Sequence, residues 1–314
     1  MAQQTISVVM PTFNEQDNIE EMSRQLTKVF EPLDVDHEFI FVDDNSLDGS
    51  KDTLERLHAQ DPRIKYVIMS RRYGDQPCLM AGLQASMGDA VIIMDADLQH
   101  PPRYIPQMIE RWKQGCQVLV MRREEAAHTN FFKKWTEIWF YKILSRFSTS
   151  PIIQRFAGYA LMDRAVVNAL TRFNESDLFL RGLVAFVGFT REEMIYIEDE
   201  RTEGHSKYGI TDMSRLALAG FTSFSDFPLY LPLYVGLAVM GVTVLGAMGC
   251  GVAWYLGHWP WSLFWSLVAA TLLFVSGVQL TFLGVLGLYT SKTIKEVRNR
   301  PRYIVAERGG VSLE

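Results

Sequence analysis

The sequence predicts an α/β domain, a mostly parallel sheet with helices on both faces, followed by a hairpin of two transmembrane helices. Three observations carry this expectation. Apolar strands alternate with amphipathic helices as far as about residue 125. Each strand in that stretch runs into a polar cluster. Two long apolar runs, Leu229–Leu256 and Leu263–Leu288, lie near the carboxyl end.

The first strand is Ile6–Met10, closed by Pro11. Glu15–Phe30 follows as a helix, with Ile19, Met22, Leu26 and Val29 at helical spacing. Phe39–Val42 is the second strand, Ser50–Leu57 a helix and Ile64–Met69 the third strand. Met80–Met87 reads as helix, Ala90–Met94 as the fourth strand, Tyr104–Lys113 as helix and Val118–Met121 as the fifth strand. Such alternation implies a parallel sheet covered on both faces. Ligands of these sheets bind beyond the carboxyl ends of the strands. The polar clusters fall there: Thr12-Phe13-Asn14-Glu15, Asp43-Asp44-Asn45-Ser46, Ser70-Arg71-Arg72, Asp95-Ala96-Asp97 and Arg122-Arg123, one after each strand in turn.

Asp95-Ala96-Asp97-Leu98-Gln99 is the most pointed of these. Carboxylates two residues apart on an extended stretch share a face and can reach one cation. Mg²⁺ or Mn²⁺ takes hard oxygen ligands and is commonly held by one or two carboxylates plus substrate phosphates. The alternative for such a pair is a solvated strand end. No G-x-x-x-x-G-K-S/T loop and no G-x-G-x-x-G after a strand is present. A phosphate-bearing ligand would therefore be met by a metal and basic side chains.

The chain has 314 residues and a formal charge of −5, which gives no sign of a nucleic-acid surface. Cys78, Cys116 and Cys250 are scattered, which fits neither a disulfide framework nor a zinc site. Met1–Thr5 is polar and leads straight into a strand, so no signal peptide is expected. From Phe227 to Ser291 there is no Asp, Glu, Lys or Arg. Each apolar run exceeds the roughly 20 residues that span a bilayer. Gly257-His258-Trp259-Pro260-Trp261 would join them as a turn with interfacial tryptophans. Lys292, Lys295, Arg298, Arg300, Arg302 and Arg308 follow the second run, while the turn carries no Lys or Arg. The positive-inside rule then places the soluble domain and both termini in the cytoplasm, on a multi-pass protein of the inner (cytoplasmic) membrane. Phe131–Phe147, with Lys133, Lys134, Lys142 and Arg146 among aromatics, reads either as an interfacial helix or as a core helix. Met213–Phe227 is a second interfacial candidate. The expected organisation is a soluble domain over 1–210, an interfacial segment over 211–228, two membrane helices over 229–290 and a basic tail over 291–314.

Pro11-x-Phe13-Asn14-Glu15, Val42-Asp43-Asp44-Asn45-Ser46-x-Asp48, Asp95-Ala96-Asp97-Leu98-Gln99-x-Pro101-Pro102 and the basic Arg123 resemble the inverting GT-A glycosyltransferases of family 2. More narrowly, the chain is similar to polyprenyl-phosphate glycosyltransferases: dolichol-phosphate mannose synthases, bactoprenol glucosyltransferases and undecaprenyl-phosphate aminoarabinose transferases. The resemblance extends to Glu200-Arg201-x-x-Gly204-x-Ser206-Lys207-Tyr208, to Phe221–Ser225, to the hairpin and to Arg300-Pro301-Arg302-Tyr303. It implies a nucleotide-diphosphate sugar, UDP-linked first of all, on Pro11, Phe13, Asn14, Glu15, Asp43, Asp44, Arg71, Gly74, Asp95 and Ala96. It implies Mg²⁺ or Mn²⁺ on Asp95, Asp97 and Gln99. It implies a polyprenyl phosphate acceptor met by Arg123, Lys133 or Lys134, Arg201, Ser206 and Lys207. Membrane lipid is a further partner, and a homo-oligomer is left open.

The chemistry fits that resemblance. A lipid phosphate monoester has a second pKa of about 6 and is largely dianionic at neutral pH. It attacks an anomeric carbon without a strong base, so the enzyme's work is neutralising and aligning two anions. Glucose is the leading sugar; an aminosugar, aminoarabinose or mannose is the alternative. The family usually carries Gly-Asp-Phe or Gly-Asp-Tyr where this chain has Ala157-Gly158-Tyr159. That departure admits a different class of function, a catalytically idle nucleotide-sugar-binding scaffold. It favours an active enzyme with altered acceptor or sugar contacts, since the acceptor ionises unaided. Asp163-Arg164 is expected to start a helix. A second departure is Arg72, where an asparagine is usual, which adds a positive charge either for the donor diphosphate or for solvent.

Overall fold

The structure, a computed structural model, describes residues 3–124, 156–175, 180–197, 227–257 and 261–312. Two compact units divide the chain, Met1–Leu216 together with Pro301–Glu314, and Ala217–Arg300.

In the first unit the elements run β1 (Thr5–Thr12), α1 (Gln16–Phe30), β2 (Asp36–Asp43), α2 (Ser50–Gln60), β3 (Ile64–Met69), α3 (Asp75–Ala85) and β4 (Ala90–Ile93). A short 3₁₀ turn at Pro102–Tyr104 leads into α4 (Ile105–Lys113), β5 (Val118–Arg123), β6 (Phe156–Asp163), α5 (Arg164–Leu170), α6 (Leu180–Phe186) and β7 (Arg191–Tyr196). The second unit holds α7 (Phe227–Tyr255) and α8 (Trp261–Arg298), after which β8 (Val305–Gly309) returns to the first unit.

The eight strands form one sheet in the order β7-β5-β6-β4-β1-β2-β3-β8. β1 pairs in parallel with both β2 and β4, β2 with β3, and β5 with β7. The exceptions are β6, antiparallel to β4 and β5, and β8, antiparallel to β3. The expected mostly parallel sheet is therefore present. The central strands β1, β2 and β4 are buried on both faces, as helices on either side require. Along β1, Ile6, Val8 and Met10 enter one core with Ile19, Met22, Leu26 and Phe30 of α1, while Val9 enters the other with Cys78, Leu79 and Ala81 of α3. This is the period-two alternation of a strand meeting the 3.6-residue period of α1.

One helix starts and ends elsewhere than expected. Met80–Met87 was the stretch expected to be helical, but α3 begins at Asp75 and stops at Ala85. It is buried nearly all round, so no apolar stripe marks its ends. Its start is set by Gly74, whose φ of 94° suits glycine, and past its end the Met87 N–H is held by the Glu38 carboxylate at 2.7 Å. Asp163 does start a helix: it caps α5, its side chain accepting from the Ala165 N–H at 2.9 Å.

In the second unit, α7 carries no formal charge over its 29 residues. The segment Leu267–Arg298 of α8 is long and apolar enough to cross a membrane, its 18-residue apolar stretch having a mean hydropathy of 1.9, and Val244–Tyr255 is a shorter apolar stretch. α8 continues to Arg298 and so carries Lys292 and Lys295 as helical residues. The tail that follows contributes a strand to the sheet. The candidate interfacial helices at 131–147 and 213–227, and His258, lie outside the described residues, except that Phe227 starts α7.

Candidate active site

β1, β2 and β3 step one way across the sheet, and β4 lies on the other side of β1. The connections after β1 and β4 diverge, which opens a crevice at the carboxyl edge, where ligands of such sheets bind. The polar clusters expected at strand ends all meet along this edge. Each of its four central loops holds one residue in the left-handed region: Asn14 (φ 53°), Asn45 (φ 59°), Gly74 (φ 94°) and Leu98 (φ 65°). For Leu98 that conformation costs about 1–2 kcal/mol, a strain of the kind that collects at functional sites.

The loops after β1 and β2 are stapled together. The Asn14 N–H donates to Ser46 Oγ at 2.8 Å, and the Leu47 N–H donates back to Asn14 Oδ1 at 2.9 Å. The Glu15 N–H reaches Ser50 Oγ at 3.2 Å, the Gln16 N–H reaches Asp48 Oδ2 at 3.3 Å, and the Gly49 N–H reaches Gln16 Oε1 at 3.0 Å. The Glu15 carboxylate accepts from the Asn18 amide one turn along α1. Pro11 and Thr12, at the end of β1, are in register with Val42 and Asp43 of β2, and Phe13 follows them.

Asp43 and Asp44 turn out to be buried, at 1% and 3% exposure. Asp43 accepts from both the backbone N–H and the hydroxyl of Ser46. Burial pushes its carboxyl above the usual range, against the Ser46 bonds, and the charges of Asp48 and Asp44 push the same way. Burial also opposes ionisation of Asp48, but hydrogen bonds from Ser50 and the Gln16 N–H outweigh it and hold its carboxyl low. Asp44 accepts the Tyr73 N–H on one oxygen at 2.6 Å and the Gly74 N–H on the other at 2.8 Å. It thus ties the loop after β3 to the loop after β2 and fixes the start of α3.

That tie places the two arginines. Arg72 lies over the Phe13 ring at 4.0 Å and 3.9 Å from Asp44 Oδ2, with most of its side chain exposed. Arg71 lies over Tyr73 at 4.1 Å. Arg72 on Phe13 joins the first and third loops by a cation–π contact. Arg123 ends β5 at the same edge, exposed, and the neighbouring Arg122 sits 3.8 Å from Glu193 of β7.

After β4 the chain leaves the sheet. Asp95, Asp97 and Gln99 are each partly exposed while Ala96 is buried, and the Asp95 side chain is half exposed. The Gln99 N–H donates to Asp97 Oδ1 at 3.1 Å. Among the described residues no group of three or more His, Cys, Asp and Glu gathers around a common point. The donor set is two carboxylates and an amide, all oxygen, at the crevice. That set fits a hard divalent cation that completes its shell with phosphate oxygens.

Sequence reasoning did not find the floor of this loop. His100 is buried and stacks on Tyr159 of β6, with ring centroids 5.1 Å apart. Burial pushes the Tyr159 phenol far above its usual range, so it remains a hydroxyl, donating to the Pro101 carbonyl at 3.1 Å. β6 pairs Ile93 with Ala160, and extending that antiparallel register by two sets Gly158 opposite Asp95. Gly158 has φ 84°, and a Cβ there would lie 4.0 Å from Asp95 Oδ2. The departure seen in the sequence therefore sits beside the expected metal ligands. Of the expected acceptor residues only Arg123 is described; Lys133, Lys134, Arg201, Ser206 and Lys207 lie outside the described residues.

Comparison with known proteins identifies the family. The profile of glycosyl transferase family 2 matches residues 7–171. A prophage-derived bactoprenol glucosyl transferase of Shigella flexneri is 36% identical over 301 residues, covering 96% of this chain and 97% of the relative. The chain belongs to glycosyltransferase family 2. A glycosyltransferase of Bacillus subtilis is also 36% identical to this enzyme, over 97% of this chain and 94% of the relative. Among solved structures, a Pyrobaculum calidifontis mannosyltransferase in complex with GDP-Man and Mn²⁺ superposes with a TM-score of 0.46 at 17% identity, covering 90% of this chain and 88% of that one. The glycosyltransferase has a GT-A α/β fold with a mostly parallel sheet.

Proposed function

We propose that this family 2 glycosyltransferase moves a hexose, glucose first, from a UDP-sugar to undecaprenyl phosphate at the cytoplasmic face of a membrane. The observation that carries the acceptor is the reach of the likeness to the Shigella bactoprenol glucosyl transferase, which covers 96% of this chain and so includes the apolar helices as well as the sheet.

Two features support the membrane reading. At 1.5 Å per residue α7 and α8 are each longer than the roughly 30 Å hydrocarbon core. β8 pairs with β3, so chain from before and from after the apolar helices contributes strands to one sheet. An even number of crossings satisfies that, and a two-helix hairpin is the simplest. The Lys and Arg residues beyond the second helix then argue for the cytoplasmic side.

In this reading Asp95, Asp97 and Gln99 hold Mg²⁺ or Mn²⁺, which when bound supplies a Lewis acid for the departing nucleoside diphosphate. Phe13 and the stapled loops after β1 and β2 receive the nucleoside, with Asp43 and Asp44 shaping the cradle from beneath. Arg71 and Arg72 offer positive charge to the diphosphate. Arg123, with Lys134, Arg201, Ser206 and Lys207, receives the acceptor phosphate; arginine can grip it through two N–H bonds. A phosphate oxygen bonds to the anomeric carbon as the bond from that carbon to the diphosphate breaks, with inversion. No side-chain base is required, because the acceptor has lost its second proton above about pH 6.

The test is incubation of the purified protein in detergent with undecaprenyl phosphate, a divalent cation and a panel of nucleotide sugars, followed by mass analysis of the lipid. A hexosyl-phospholipid from UDP-glucose is the expected product. A different sugar on the lipid would reassign the donor. Nucleotide binding with no lipid product from any donor would favour the idle scaffold.

A further inference from the structure

His100 follows directly on the Asp95–Gln99 loop and is 3% exposed. β4 makes its last bond to β1 through the Met94 N–H, which reaches the Val9 carbonyl at 3.1 Å. The next amide, that of Asp95, donates to His100 Nδ1 at 2.9 Å. The chain thus turns back on itself over six residues and closes the turn through a side chain. The left-handed Leu98 lies inside that turn, as does the bond from the Gln99 N–H to Asp97 Oδ1.

The imidazole is held in its own plane. Tyr159 lies parallel to it at an interplanar angle of 18°, and Tyr196 meets it edge-on at 5.9 Å. The Tyr159 hydroxyl bonds to the Pro101 carbonyl, so the residue after His100 is fixed to the same strand. An Nδ1 that accepts from a backbone N–H carries no proton, which puts the ring proton on Nε2. The same Nδ1 lies 3.7 Å from Asp95 Oδ2.

We propose that His100 is a positioning residue for the Asp95 and Asp97 oxygens. By accepting the Asp95 N–H from a ring clamped between two tyrosines, it holds the turn in which both carboxylates and the Gln99 amide can face one cation. It acts through the backbone of Asp95 and touches neither substrate nor cation. The proposal rests on the reading that these oxygens take a divalent metal. Partners that orient metal ligands typically govern metal affinity by 10–100-fold.

The experiment compares His100→Asn and His100→Leu in the full chain. Asparagine places an acceptor oxygen close to where Nδ1 stood; leucine places none. Mn²⁺ binding in the presence of UDP is read by electron paramagnetic resonance, and melting temperature is read alongside. His100→Leu should weaken Mn²⁺ binding about tenfold or more, and His100→Asn should recover most of it even if both variants melt at the same lower temperature. Equal losses of Mn²⁺ affinity in the two variants, or none in His100→Leu, would overturn the proposal while leaving the metal reading standing. Absence of Mn²⁺ binding in the wild type would overturn both. Should His100→Leu fail to fold, ¹⁵N NMR of the metal-free wild type decides. The proton on Nε2 of His100 supports the proposal, and a proton on Nδ1 sinks it.

Discussion

At the amino-terminal edge of the sheet, Glu38 is enclosed. Its carboxylate accepts Ser7 Oγ at 2.6 Å, Lys65 Nζ at 2.6 Å and the Met87 N–H at 2.7 Å. Around it the Gly88 N–H bonds Ser7 Oγ, Arg164 bonds the Gly88 carbonyl and Ser86 Oγ, and the Thr5 N–H bonds Asp89. At the carboxyl-terminal edge of the same strands, Asp95 keeps half its side chain exposed, and Asp97 and Gln99 beside it are partly exposed. The chain spends buried hydrogen bonds on locking one edge and uses them at the other to aim side chains outward. On the proposed function one edge governs stability and the other activity, and substitutions should separate the two.

The largest expected effect is at the exposed edge. Asp97→Asn should lower transfer about 10²–10³-fold, as loss of a main electrostatic contributor does, with the melting temperature unchanged. Asp95→Asn should do nearly as much. Wild-type activity should vanish in EDTA and return with Mn²⁺ or Mg²⁺; full turnover in EDTA would refute the oxygen set as a metal site.

At the locked edge the order of effects reverses. Lys65→Met leaves a buried carboxylate unpaired and should cost about 3 kcal/mol of stability, with turnover at low temperature retained. The pH dependence sharpens this. Burial raises the Glu38 carboxyl, but the Lys65, Met87 and Ser7 hydrogen bonds outweigh it and hold the carboxyl below its usual value. A depressed folded-state pKa stabilises above the usual carboxylate range, and that contribution is lost as pH falls through the folded value. Without Lys65 the carboxyl is held down less, so the variant loses less stability on acidification. The gap in melting temperature between wild type and Lys65→Met should narrow on acidification. A gap that widens would contradict the account.

Gly158 belongs to neither edge's rule and gives a smaller effect. Gly158→Ala at φ 84° should cost about 1–2 kcal/mol of stability. Gly158→Asp adds a carboxylate beside Asp95 and should lower activity below that of the alanine variant through like-charge repulsion. If Gly158→Asp instead raised transfer from an inactive wild type, the native chain would be a scaffold.

The two edges were unequally legible in the sequence. The outward side chains could be read because chemistry selects their types: Asp95, Asp97 and Gln99 follow an apolar strand, and Arg71 and Arg72 follow another. The locking contacts could not, because they join residues far apart in sequence, such as Ser7 with Glu38 and Met87. The family resemblance implies a nucleotide contact at Asp44, and only the three-dimensional arrangement shows both its oxygens on the Tyr73 and Gly74 amides. His100 was passed over as one more residue of a loop, since nothing in the order of residues brings Tyr159 beneath it. β6 and β8 were missed for a different reason. β6 is antiparallel, entering out of sequence order between β4 and β5, and β8 is a short edge strand carrying Glu307 and Arg308 instead of an apolar run.

β8 also supplies the smallest expected effect. Its ladder sets Tyr66 against Gly309 and Ile68 against Glu307, and the Ser70 N–H reaches the Ile304 carbonyl at 2.9 Å. Lys51 and Glu307 add an ion pair at 2.6 Å across the edge, but both side chains are well exposed. Exposed pairs of this kind are screened by water and salt and contribute little. Glu307→Ala should therefore leave the melting temperature unchanged within error at physiological salt. Gly309→Ala should lower it measurably, because a Cβ there would lie 2.3 Å from the Tyr66 ring. Such a pattern would show that backbone pairing and close packing hold the tail to the sheet. A larger loss from Glu307→Ala than from Gly309→Ala would instead assign that hold to charge. The pairing of β8 with β3 would then loosen as salt rises.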